Sequence, residues 1–192
     1  MSPKTKFDKT AIVDAAFEIA KEEGLSGITA RSVAKQLNSS VAPIYVNFAT
    51  VDDLTEAVIH KVFAISDEIL AKQKGQSMFE KIGKASLAFA RTYPVLFREF
   101  SINPNPYMAS YETIENAMID ALAEDESMRN WTLNERRRLL LKMRVFQMGL
   151  SVMVSNGHVP SWLDDNDFDE LLMETGADVL LAHQLKRKGG VS

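Results

Sequence analysis

Apolar side chains recur at helical spacing along almost the whole chain, and no alternating apolar–polar run persists long enough to make a half-buried strand. That pattern restricts the chain to an all-α fold. In residues 8–23, Ile12, Ala16, Ile19 and Ala20 fall on one face, widened by Val13 and Phe17. Asp8 is placed to cap this helix and Gly24 to stop it. A second helix opens after Thr29 and turns Val33, Ala34 and Leu37 inward. A third, very short, covers about residues 41–48. Thr50 and Asp53 have capping-box spacing for a long helix that carries Leu54, Val58, Val62, Ile65 and Ile69. Ser77 can cap the next helix, and Pro94 suits the first position of a short one. Residues 103–106, Asn-Pro-Asn-Pro, read as a loop, with a helix over about 107–126 beyond it. Thr132 and Glu135 form a capping box for a helix that reaches Ser155, and a last helix runs over about 168–186.

Composition narrows what such a chain can do. At 192 residues, with 46% hydrophobic and 25% charged residues, it has enough material for a small domain fused to a larger one. The absence of cysteine excludes disulfides and thiolate metal sites. The first nine residues are polar and basic, unlike a signal peptide. The longest apolar stretch, Val145 to Val154, is interrupted by Gln147 and Ser151 and is too short to cross a bilayer. A soluble, cytoplasmic protein with no membrane partner is expected. His60, His158 and His183 lie far apart with no metal-ligand spacing, and no glycine-rich phosphate loop or nucleophile elbow occurs. The residues call for no catalytic site, no metal and no cofactor.

The formal net charge of -4 is unevenly spread. Residues 1–50 hold six Lys/Arg against five Asp/Glu, whereas the rest hold sixteen against twenty-one. Two helices joined by a tight turn, the second very short, make a helix-turn-helix, whose second helix puts its first residues against DNA base edges. Pro43 fits the first turn of that second helix, where it removes no backbone hydrogen bond, with Ser40 as the expected N-cap.

The run Ile12-Val13-Asp14-Ala15-Ala16-Phe17, then Gly24-Leu25, Thr29-Ala30-Arg31-Ser32-Val33-Ala34, and Ile44-Tyr45-Val46-Asn47-Phe48 with Asp53-Leu54, resembles the tetracycline-repressor-type (TetR) family of bacterial transcriptional regulators. The detailed match covers about residues 8–60; beyond it only length and helix number agree. Two positions depart from the family pattern. Asn38 replaces the usual turn glycine but tolerates the same left-handed backbone, and Val51 stands where a phosphate-binding lysine is common. The resemblance implies a helix-turn-helix DNA-binding domain over residues 1–50 and a helical effector-binding and dimerisation domain over residues 51–192. It implies a repressor that binds a near-palindromic double-stranded operator as a homodimer and is released by a small effector. The alternative is a helical protein-interaction module without specific DNA binding.

Carried over position by position, Thr29, Tyr45 and Asn47 would touch phosphates, and Ser40, Val41, Ala42 and Pro43 would face the major groove, small side chains suited to thymine methyls. Arg31 is the candidate guanine reader; Lys35, with Lys4, Lys6 and Lys9, would meet phosphates nonspecifically. Behind this region, the stretch Leu139 to Val154 is apolar nearly all round and asks for cover on more than one side. Leu140, Leu150 and Val154, with Leu172, Gly176 and Val179 of the last helix, are therefore the expected dimer interface. Phe63, Phe89, Tyr93, Phe97, Tyr107, Met118, Met143, Phe146 and Gln147 are candidate lining for an effector pocket, and their character favours an apolar or aromatic effector.

Overall fold

A computed structural model describes residues 7–75, 78–104, 111–124 and 126–189, and every regular element among them is helical. In chain order they are α1 (Lys9–Glu23), α2 (Ala30–Gln36), α3 (Ala42–Asn47), α4 (Val51–Lys72), α5 (Met78–Thr92), α6 (Pro94–Ser101), α7 (Tyr111–Glu124), α8 (Leu133–Ser155) and α9 (Asp165–Gly189). Single 3₁₀ turns occupy Leu25–Gly27 and Glu126–Met128. The contacts divide the chain into two compact units: Met1–Glu68 with Tyr93–Tyr107, and Ile69–Thr92 with Met108–Ser192. The first takes in the segment expected to form the DNA-binding domain, and adds most of α4 and all of α6.

Local signals set most of the boundaries. The Asp8 carboxylate accepts from the Ala11 N–H at 2.8 Å and caps α1. Gly24, at φ 79°, ends α1 in a conformation that costs side-chain-bearing residues dearly, and its N–H closes on the Ala20 carbonyl at 3.0 Å. Thr50 and Asp53 exchange the two capping-box bonds in front of α4, as Thr132 and Glu135 do in front of α8. Pro94 takes the first position of α6. The last helix starts earlier than its apolar pattern suggested, because Asp164 and Asp167 make a reciprocal pair of backbone bonds at its entry. Ser77, Asn105 to Tyr107, Lys4 and Lys6 lie outside the described residues.

In the first unit, Ile12, Ala16, Ala20, Val33, Ile44, Leu54 and Val58 form a fully buried core to which α1 to α4 all contribute. Phe17 meets Tyr93 edge to face at 5.8 Å, Phe63 packs on Phe100, and the Lys61 ammonium reaches the Asp14 carboxylate at 2.6 Å. In the second unit, one cluster gathers Ile119, Leu122, Met128, Trp131, Leu139, Leu140 and Met143, and another Leu87, Leu150, Phe168 and Leu172. Gly83 lets α5 approach α9 closely: a Cβ there would lie 2.9 Å from the Leu172 side chain.

The end of α9 is clasped to the entry of α8. The His183 ring stacks on Trp131 at 5.4 Å, the Arg187 guanidinium lies 5.7 Å from the same ring, and Arg187 bonds both Glu135 and the Asn130 carbonyl. His183 Nε2 sits 3.1 Å from the Lys142 ammonium, which can only donate, so this nitrogen is the acceptor of a neutral ring. Burial, then the charges of Lys142, Lys186 and Arg138, push the His183 pKa below its ordinary value against the opposing pull of Glu135. The unfolded chain therefore binds this proton more readily than the folded one, and acidification below the ordinary histidine pKa removes stability until the folded value is passed. A urea midpoint followed from about pH 7 to about pH 5 should fall, and His183→Gln should flatten that slope.

Candidate nucleic-acid interface

The segment from Thr29 to Phe48 is built by short-range bonds. Thr29 Oγ1 accepts from the Ser32 N–H at 3.0 Å, Ser32 Oγ accepts from the Thr29 N–H at 2.9 Å, and the Ser32 hydroxyl reaches the Gly27 carbonyl at 2.7 Å. This box starts α2 and ties it to the preceding turn. At the other end of α2 the Ser39 N–H returns to the Ala34 carbonyl at 2.9 Å, which requires the left-handed Asn38 at φ 49°. Asparagine thus serves where the family resemblance places glycine.

The entry to α3 differs from expectation by one residue. Its N-cap is Val41, not Ser40, and no side chain caps it. Val41 already has helical dihedrals, and its carbonyl accepts from the Ile44 N–H at 3.1 Å, so the helix begins at Ala42 with Pro43 second. Pro43 still falls in the first turn, where its missing N–H removes no bond. Ile44 and Phe48, 1% and 4% exposed, anchor α3 to the first unit's core, and the Lys9 ammonium lies 5.0 Å from the centre of the Phe48 ring.

The remaining side chains of the segment follow from that anchoring. Thr29, Arg31, Lys35, Ser40, Val41, Ala42 and Tyr45 are exposed, and Pro43 and Asn47 half-buried. The Asn47 amide turns back on its own helix, donating to the Pro43 carbonyl at 2.8 Å, so one of its two donors is already committed. Val46, absent from the sequence-based set, is 71% exposed, more than Tyr45 at 55%. Its position was legible: it lies two residues from both Ile44 and Phe48, on the opposite side of the helix.

The expected pocket lining is divided between the two units. Phe63, Tyr93 and Phe97 belong to the first, where Phe97 is buried and the other two pair with Phe100 and Phe17. Phe89, Met118, Met143, Phe146 and Gln147 belong to the second. There Met118 and Met143 pack in one core cluster, Phe146 packs against the other, and the Gln147 amide donates to Ser86 Oγ. Tyr107 lies outside the described residues.

The residues expected at the interface lie largely within the second unit. Leu140, Leu150 and Leu172 are buried in the second unit's own clusters, and Val154 and Val179 pack against those clusters half-buried, as Gly176 is in α9. An apolar helix of this length finds more cover within its own chain than its sequence suggested. The large apolar residues that α8 and α9 leave exposed beyond their first turn are Leu141, Val145, Leu181 and Leu185.

No family model matches the sequence, and none of the curated proteins does. Among solved structures, the fold is similar to that of the fatty acid degradation regulator FadR from Bacillus halodurans, with 14% identity, a TM-score of 0.60, and coverage of 92% of this chain and 97% of that one. At this identity the likeness is one of fold.

The capping box makes Thr29 structural before any role toward DNA. Thr29→Ala should destabilise the protein by about 1 kcal/mol, read as a lower urea midpoint at unchanged slope, and Thr29→Ser should restore most of the loss.

Proposed function

We propose that this chain is a ligand-responsive DNA-binding transcriptional regulator, a repressor of the tetracycline-repressor type that binds a near-palindromic operator as a homodimer in the cytoplasm. The observation that carries this reading is α3: a six-residue helix anchored inward by Ile44 and Phe48 and preceded by a boxed α2, with its opposite side open to solvent. The similarity of fold to FadR supports it. Among the described residues no helix is long and apolar enough to cross a membrane, and no three His, Asp or Glu side chains gather as metal ligands.

Dimerisation supplies the spacing that two recognition helices need to enter successive major grooves, about 34–36 Å apart. Leu141 with Val145, and Leu181 with Leu185, stand one helical turn apart on α8 and α9 and give each helix an exposed apolar stripe. Gly149 continues the α8 stripe. A Cβ there would meet nothing of this chain, although glycine costs a helix interior about 1 kcal/mol relative to alanine. Close approach of a second subunit accounts for it.

In this scheme the effector binds within the second unit. The Gln147–Ser86 pair, with Phe146 next to Gln147 in sequence and Phe89 one turn after Ser86 on α5, suits a molecule with an apolar body and one polar group that accepts or donates a hydrogen bond. Fatty acids are the first class to screen, because the structurally similar FadR is described as a regulator of fatty acid degradation. A ligand that favours one subunit separation over another would weaken DNA binding by its differential affinity, with typical couplings of about 1–3 kcal/mol.

The second reading, a helical protein-interaction module, draws on Val51, Asp52 and Asp53, which put no cation at the start of α4. Fluorescence anisotropy on the DNA upstream of the chain's own coding region separates the two. A regulator should prefer that DNA over scrambled duplex and lose affinity with salt at a log–log slope of about -0.9 per neutralised phosphate. Val145→Glu with Leu185→Glu should yield monomers in the ultracentrifuge that bind at least tenfold more weakly. Equal binding to both duplexes would favour the module.

A further inference from the structure

We infer that Val46, together with Ala42, reads thymine methyl groups in the major groove. The inference rests on the DNA-binding reading proposed above and adds the base chemistry that reading leaves open. On a helix that turns about 100° per residue, the buried Ile44 defines the inward direction of α3, and Val46, two residues on, falls about 160° away from it. Ala42, one turn earlier, flanks the same outward pole. The part of α3 that projects furthest is therefore hydrocarbon.

The neighbouring groups leave little else for base readout on this helix. Asn47, the one amide of α3, is folded back onto the Pro43 carbonyl at 2.8 Å. Ser40 precedes the helix, and its carbonyl accepts the Ser39 hydroxyl at 2.9 Å. Arg31 and Lys35 sit on α2. Among base edges in the major groove, only the thymine C5-methyl offers an apolar partner.

Size argues for DNA over a protein as the occupant. The isopropyl group of Val46 beside Ala42 and Val41 is a patch of three small side chains, whereas a stable protein interface buries about 1,200–2,000 Å². A helix about 10–12 Å across, side chains included, fits a groove about 12 Å wide. The exposed Tyr45, Arg31 and Lys35 supply the polar surround that a phosphate-lined groove requires and an apolar protein groove does not.

The test uses full-length protein and duplexes that it selects from a randomised pool. In the selected consensus, each thymine is replaced by uracil, which deletes the methyl and nothing else. At one or two positions per half-site, uracil should weaken binding about fourfold, the effect of one buried methyl group. Val46→Ala, checked for an unchanged thermal midpoint, should bind the thymine duplex more weakly and lose the discrimination at those positions. A consensus that tolerates uracil everywhere overturns the inference and leaves the regulator reading standing. Uracil sensitivity that persists undiminished in Val46→Ala overturns the assignment to Val46. Failure to select any consensus overturns both readings.

Discussion

The insertion of Ile44 and Phe48 into the core of the first unit is the contact on which the rest depends. A six-residue helix is far below the about 12–15 residues at which an isolated helix becomes even marginal in water, so α3 exists because it is docked. Burial of two such side chains contributes about 1.5–3 kcal/mol each. Because they stand four residues apart, they fix the rotation of the helix as well as its position. Everything on the opposite side, Val46 above all, is outward for that reason.

The turn before α3 and the box before α2 transmit this orientation to the chain. Asn38 takes the left-handed conformation that lets the Ser39 N–H return to Ala34, and Ser32 joins Thr29 to the Gly27 carbonyl. Side chains that look like surface polar residues in sequence are thereby occupied with holding the backbone. Thr29 and Asn47 illustrate the tension: each was read as a phosphate contact, and each spends hydrogen-bonding capacity within the motif.

Much of the fold was legible because its signals are local. Caps at Asp8, Thr29 and Thr132, the stop at Gly24 and the proline at the start of α6 all act within one turn of themselves, and each marks its boundary where the sequence placed it. The N-cap of α3 is Val41 and not Ser40 because the cap is set by where the backbone turns helical, as it has at Val41, and side-chain preference alone does not fix that. Which residues of α8 and α9 stay exposed was not legible for a different reason. Periodicity shows that α8 is apolar on several sides, but which side meets α5, α7 or α9 depends on tertiary packing, and Leu140, Leu150 and Leu172 are consumed by it. Leu141 and Val145 are what remains. Their exposure could be read only once their neighbours were in place.

The central claim is that the outward pole of α3 is the surface that meets DNA. The chain contains no cysteine, so a single Val46→Cys variant can be labelled with a maleimide without background. The account predicts rapid modification in the free protein and strong protection when selected operator duplex is added, with scrambled duplex protecting far less. Slow modification of the free protein, or a rate indifferent to operator, would contradict it.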